Sequence, residues 1–309
     1  MKLHVNFMRS SNGKRDVAYY VYVPDEGPVR GIVQISHGMC DYVENYALLA
    51  ERLTAEGFVV CGNDHLGHGN TAEDARDLGY FGSGGFLSVV KDLRKMNKII
   101  RSMYKGVPLV LFGHSMGSFL ARYYVTAFPN TVDGAIFAGT AGMSNPSGTA
   151  RALAVAIGKS RGNHYRSKML HNLVFKTYNL RFPGGDEFAW LSRDPAAARK
   201  YENDPRRNFI FTASGFYGLF SVLHAVSKDT WTEAYPKNLP TLLAAGDMDP
   251  VGNYGKGPSE VYERLARAGV KNVQLKLYRD ARHELHNEIN KEEFFADVIG
   301  WIKSNGLLK

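Results

Sequence analysis

The chain has 309 residues, 44 % of them apolar, and a formal net charge of +8. That length holds one large domain or a core carrying an insertion, and the apolar share excludes a disordered chain. Its two cysteines, Cys40 and Cys61, exclude both a disulfide framework and a cysteine-ligated metal centre.

The opening stretch MKLHVNFMRSSNGKRD lacks the apolar centre of a signal peptide. No run approaches the roughly 18 residues of a membrane span. A soluble, cytoplasmic protein is expected. Apolar runs at 3–8 and 17–23 flank SSNGKRD, whose Asn12-Gly13 pair signals a hairpin. Short β-branched runs follow at 31–36, 58–64, 108–113, 134–139, 240–246 and 273–278. They lack polar–apolar alternation, which suits parallel strands buried on both faces. Between them lie helical patterns at 46–57, 87–104, 259–269 and 292–303, several ending at Gly. Strand–helix alternation after a hairpin predicts a mostly parallel α/β sheet with helices on both faces.

The alternation stops between about 144 and 235. This stretch is aromatic and basic: residues 151–208 hold twelve Lys and Arg against five Asp and Glu. So long a segment is not a bare loop in a compact fold. The predicted organisation is a core of 1–143 and 236–309 with a helical cap at 144–235. The basic excess reads first as a solvated face, and beyond that as attraction to anionic substrates or an anionic lipid surface. No nucleic-acid-binding motif accompanies it.

One pentapeptide raises a chemical question. In PLVLFGHSMGSFLARYYV, Ser115 stands between Gly113 and Gly117 where a strand runs into a helix. Gly-x-Ser-x-Gly is common by chance, and Gly158-Lys159-Ser160-Arg161-Gly162 also matches it. Only Ser115 has the strand-to-helix context. There a nucleophile sits on a strained turn, small neighbours avoid collision, and helix N–H groups face developing negative charge.

A serine needs a base, and the base an orienting acid. Asp247 and Asp249 follow the strand PTLLAAG, and His283 follows VQLKLYRD, in the order Ser, Asp, His. Asp249, further into the loop and before Pro250, is favoured over Asp247. Of ten histidines, only His283 has the strand-end position after the acid. His283-Glu-Leu-His286 falls one residue short of the zinc motif His-Glu-x-x-His, so no metal is expected, and no cofactor. The oxyanion donors are expected to be the backbone N–H groups of Met116 and of Met39, in the His37-Gly38 turn. Asp64-His65-Leu66-Gly67-His68-Gly69 reads as a structural loop.

Taken in order, HGMCDYVENY, DHLGHG, FGHSMG, AGDMDPVG and ARHELHNE resemble the motifs of the monoacylglycerol lipase and lysophospholipase family of α/β-hydrolases. The resemblance spans nearly the whole chain. It implies an α/β-hydrolase fold with a helical cap, no cofactor, Ser115 as nucleophile, Asp249 as acid, His283 as base, and Met39 and Met116 as oxyanion donors. It also implies that Asp41, Asn45 and His114 lie at the alcohol end of the site. The family often has Glu in place of Asp41 and Arg in place of Asn45. The expected activity is hydrolysis of lipid-like carboxylic esters. The other readings are a short-chain or aryl carboxylesterase, an aminopeptidase or amidase on this fold, and a non-catalytic receptor.

Overall fold

The computed structural model describes residues 1–143 and 146–309. Eight strands form one sheet in the order β1-β2-β4-β3-β5-β6-β7-β8. They are β1 (Lys2–Arg9), β2 (Asp16–Val23), β3 (Gly31–Ser36), β4 (Phe58–Asn63), β5 (Leu109–His114), β6 (Gly134–Ala138), β7 (Thr241–Gly246) and β8 (Val273–Tyr278). β1 pairs antiparallel with β2, and β2 antiparallel with β4; every later pairing is parallel. The opening hairpin closes through Ser10 N–H to Arg15 C=O at 2.8 Å. Of Asn12 and Gly13, only Gly13 takes a positive φ.

β3 to β7 are buried along their whole length, which is why their sequences do not alternate. β8 departs from that expectation. It is the sheet edge, paired on one side only, and most of its residues remain partly or fully exposed. The outer strand β1 is more open still, with Leu3, Val5 and Phe7 exposed.

Helices cover both faces. α1 (Ala47–Ala55) and α10 (Lys291–Ser304) pack one face through Leu49, Leu53, Phe294 and Val298. α2 (Gly85–Met103), α3 (Met116–Ala127) and α9 (Lys256–Arg267) pack the other through Val89, Leu93, Leu120 and Val261. α1 and α9 are followed by Gly57 and Gly269 at φ +87° and +83°, the left-handed turn that ends a helix.

Between β6 and β7 the described residues hold α4 (Ser147–Arg161), α5 (Lys168–Phe175), α6 (Pro195–Asn203), α7 (Ala213–Val226) and α8 (Asp229–Ala234) and no named strand. Local capping explains three of these starts. The side chains of Ser167, Asp194 and Thr212 accept from the N–H groups of Leu170, Ala196 and Gly215. The second pentapeptide match lies here. Ser160 is in the last turn of α4, and its hydroxyl bonds back to Ile157 C=O at 3.2 Å.

Arg122 of α3 ties the entry to this segment and the end of α7 to the core. Its guanidinium donates to Ala141 C=O at 3.0 Å, where the chain leaves β6, and to Val226 C=O at 2.8 Å, at the end of α7. It also lies 4.5 Å from the ring of Trp231, whose indole N–H donates to Arg122 C=O at 2.8 Å. The carbonyl end of α7 and the indole face together support a fully buried cation.

The β5–α3 junction is the tightest place in the sheet. Ser115 sits at φ +52°, ψ −124°, between a strand and a helix. A Cβ on Gly117 would lie 1.9 Å from Ser36 C=O, and one on Gly113 would lie 2.5 Å from Gly117 C=O. These contacts are with backbone, which cannot swing aside. Gly117→Ala is therefore expected to destabilise the fold by about 3 kcal/mol or more, read as a lowered urea midpoint at unchanged m-value.

Candidate active site

The parallel register brings the ends of β3, β5 and β6 to one level, with Ser36 beside Gly113 and His114 beside Ala138. The loops beyond these ends, with those after β7 and β8, carry the site. Ser115 N–H donates to Ala138 C=O at 2.9 Å. Ser118 Oγ donates to Ser115 C=O at 2.6 Å and lies within hydrogen-bond distance of the Thr140 hydroxyl at 2.9 Å. These bonds hold the strained residue in place.

Asp249 and His283 meet across 34 residues of sequence. His283 Nδ1–H faces Asp249 Oδ2 at 3.0 Å, both groups being buried. The second oxygen of Asp249 accepts from Val251 N–H at 2.8 Å. Asp247 is half-buried on the same turn, its N–H donating to Tyr278 C=O at 3.1 Å. Asp249 thus faces the imidazole and Asp247 braces the end of β8. The His283 loop also leans on the helical insertion: Glu284 N–H donates to Leu191 C=O at 2.7 Å, and the Trp190 ring lies 5.1 Å from the imidazole.

Ser115, His283, Gly38, Met39 and Met116 all line a cavity of about 450 Å³. Its body is apolar, walled by Phe119 of α3, Leu153 of α4, Val174 of α5 and Phe220 and Leu223 of α7. Met116 opens α3, where the first N–H groups have no intrahelical acceptor. Among the described residues the Met39 N–H also has no acceptor. Gly38 packs closely on the serine turn: a Cβ there would lie 3.3 Å from the Ser115 Cβ.

One end of the cavity is polar, formed by Asp41, His114 and Glu284. Asp41 accepts from Tyr46 OH at 2.7 Å and from Asn45 Nδ2. Arg207, from the loop between α6 and α7, reaches in behind. It donates to Glu284 Oε1 at 2.5 Å and stands 3.6 Å from Asp41 Oδ1. Burial alone would raise the Asp41 pKa. Arg207, His37, His286 and the Asn45 bond overcome that and hold it below the usual carboxylate range. Asn45 itself does not reach the cavity wall; it supports Asp41 from behind. His114 is already engaged at both nitrogens, Nδ1 by Tyr46 OH at 3.0 Å and Nε2 by His283 C=O at 3.2 Å. Burial pushes its pKa well down.

Sequence reasoning assigned no role at the site to four of these groups: Tyr46, Arg207, Glu284 and His286, the last weighed only as a zinc ligand. His286 is buried and stacks on the Tyr46 ring at 4.4 Å. It also belongs to the one group with metal-ligand spacing among the described residues, Asp41, His114 and His286. Asp41 and His114 are both bonded to the Tyr46 hydroxyl, so a phenol links them.

The loop after β4 forms a frame behind the site. Asp64 accepts from Val43 N–H at 2.9 Å, Asn70 N–H at 2.8 Å and Tyr20 OH at 2.9 Å. His37, His65 and His68 pack together, with the His37 and His65 rings 3.9 Å apart.

The fold and the protein's relatives place it among the serine ester hydrolases of the α/β-hydrolase class. The chain belongs to the Hydrolase_4 family, described as serine aminopeptidase S33, which it matches over residues 27–290. It is 28 % identical over 295 residues to a monoacylglycerol lipase of Mycolicibacterium smegmatis, covering 94 % of this chain and 93 % of that one. With the human monoglyceride lipase the identity is 26 % over 286 residues, covering 91 % and 85 %. Among solved structures it is similar to a highly thermostable carboxyl esterase from Bacillus coagulans in complex with glycerol. The TM-score there is 0.92 at 30 % identity, covering 98 % of this chain and 99 % of that one. No helix among the described residues is long and apolar enough to cross a membrane.

The histidine frame makes an acid-stability prediction. Burial lowers the pKa of His37 to about 4 and of His68 to about 3, and pushes His65 well down. The unfolded chain, with histidine near 6.5, therefore binds more protons between about pH 4 and 6.5. The stability contributed is present above about pH 6.5 and is lost as pH falls toward 4. Urea midpoints at pH 7.5, 6 and 5 are expected to fall in that order, with a shallower fall in His68→Gln.

Proposed function

We propose that the protein hydrolyses lipid-like carboxylic esters, of the monoacylglycerol or lysophospholipid type, through Ser115, His283 and Asp249. The observation that carries this is the Asp249–His283 bond beside a strained serine, on the floor of an apolar cavity. In this reading Asp249 holds the His283 proton on Nδ1, leaving Nε2 to take the proton of Ser115. The serine oxygen attacks the ester carbonyl. The tetrahedral oxyanion is met by the N–H groups of Met39 and Met116, the latter at the start of α3. His283 then protonates the departing alcohol. Water, deprotonated by the same imidazole, releases the fatty acid from the acyl-enzyme.

The division of labour follows the lining. The acyl chain occupies the apolar body, and the alcohol faces Asp41, His114 and Glu284. The relatives named as monoglyceride lipases, and the similar esterase in complex with glycerol, support an alcohol that carries hydroxyls. The family description points also to amide substrates with a free ammonium. Against that reading, both cavity carboxylates share the guanidinium of Arg207. The helical insertion acts here as a cap at 144–235 over a core of 1–143 and 236–309.

A serine-directed fluorophosphonate tests the nucleophile. Wild type and Ser160→Ala should label alike, and Ser115→Ala should not label. Labelling that follows Ser160 rejects the assignment. A panel of p-nitrophenyl esters, monoacylglycerols, lysophospholipids and aminoacyl amides then sets the substrate class, with long-chain monoesters expected to give the highest kcat/KM.

The cap also carries the contact with lipid. Met169 and Leu173 on α5, and Leu180 beyond it, are exposed, as are Lys168 and Lys176 of the same stretch and Lys159 of α4. Exposed apolar side chains together with cations suit an anionic lipid surface. Replacing the three lysines by Glu should weaken sedimentation with phosphatidylserine vesicles by about tenfold or more. Turnover of a soluble p-nitrophenyl ester should stay at the wild-type level.

A further inference from the structure

His37 lies directly behind the turn assigned to the oxyanion, fully buried and outside the cavity lining. Its ring joins two loops. His65 N–H donates to His37 Nε2 at 2.8 Å. A backbone N–H can only donate, so Nε2 carries a lone pair and the ring proton of the neutral imidazole is on Nδ1. That Nδ1–H donates to Gly38 C=O at 2.9 Å. Burial keeps the ring neutral, with a pKa of about 4. The loop that donates to it is itself anchored, since His65 Nε2 bonds Ser36 Oγ at 3.2 Å.

The consequence comes from peptide geometry. The Gly38–Met39 bond is trans and planar, so Gly38 C=O and Met39 N–H point in opposite directions. Fixing the carbonyl toward His37 turns the N–H away from it. Gly38 and Met39 line the cavity and His37 does not, so away from His37 is toward the cavity. We propose that His37 is a positioning residue that aims the Met39 N–H at the reacting ester oxygen, by holding Gly38 C=O from behind. This rests on the reading of Met39 as an oxyanion donor. Glycine at 38 leaves the peptide free to rotate, and the left-handed turn at Cys40, φ +53°, follows immediately. The imidazole removes that freedom.

Two substitutions separate this role from general bracing. In His37→Asn, Nδ2 occupies the place of the ring Nδ1 and still donates to Gly38 C=O, while the acceptor for His65 N–H is lost. In His37→Gln, the longer amide keeps that acceptor and loses the donor to Gly38. With a soluble p-nitrophenyl ester, His37→Asn should retain kcat within about threefold. His37→Gln should lose about tenfold or more in kcat at unchanged KM, up to the roughly 100-fold or more expected for a missing oxyanion donor. Activity retained in Gln and lost in Asn would mean that the ring only braces the β4 loop, and equal activity in both would also overturn the proposal. Met39→Pro removes the N–H itself. Wild-type kcat in that variant would overturn the donor reading, whereas a loss there with both His37 variants active would overturn this inference alone. In wild type, ¹⁵N NMR of the imidazole should show the Nδ1–H tautomer at neutral pH, and an Nε2–H tautomer would reject the proposal without any variant.

Discussion

At Ser115 the backbone takes φ +52°, a conformation that side-chain-bearing residues seldom adopt, in the one step between a buried strand and a buried helix. The step closes because Gly113 and Gly117 place no carbon where Ser36, His37 and the first turn of α3 already lie. From this contact the rest follows. A tight turn holds the hydroxyl beyond the sheet edge, at the start of a helix and beside the ends of β3 and β6. The loops after β7 and β8 meet through the Asp249–His283 bond, and His283 lines the same cavity as Ser115.

Around the serine, the protein arranges charge in two ways. The cavity body is apolar, which disfavours exposed ions and suits an alkyl chain. At its polar end two carboxylates and one guanidinium are buried together, a costly arrangement unless each group is paired. Here Arg207 spans Asp41 and Glu284, while Tyr46 and Asn45 satisfy more of Asp41. Because Arg207 comes from the helical insertion and its partners from two core loops, one ion cluster fixes the insertion against the site.

Much of this was legible in the sequence. The eight strands and the core helices followed from apolar runs and their punctuation by Gly, since those patterns depend on local backbone geometry. The Asp249–His283 pair was legible because each residue lies in the loop that follows a recognisable strand. The exposure of β8 was not, because a run of apolar residues does not say whether it has one neighbour or two. Nor was Arg207, which lies 77 residues from Glu284 in a segment without a regular pattern. His286 was judged by a motif it failed to complete, while its packing on Tyr46 arises only in three dimensions.

Arg122 gives this design a mechanical meaning. It holds the chain at Ala141 and at the end of α7 to the same helix that begins after Ser115, with Trp231 closing over it. Among the described residues, Leu153, Val174, Phe220 and Leu223 from α4, α5 and α7 wall the cavity. Most of the apolar wall is therefore carried by elements other than the one whose first turn fixes Ser115.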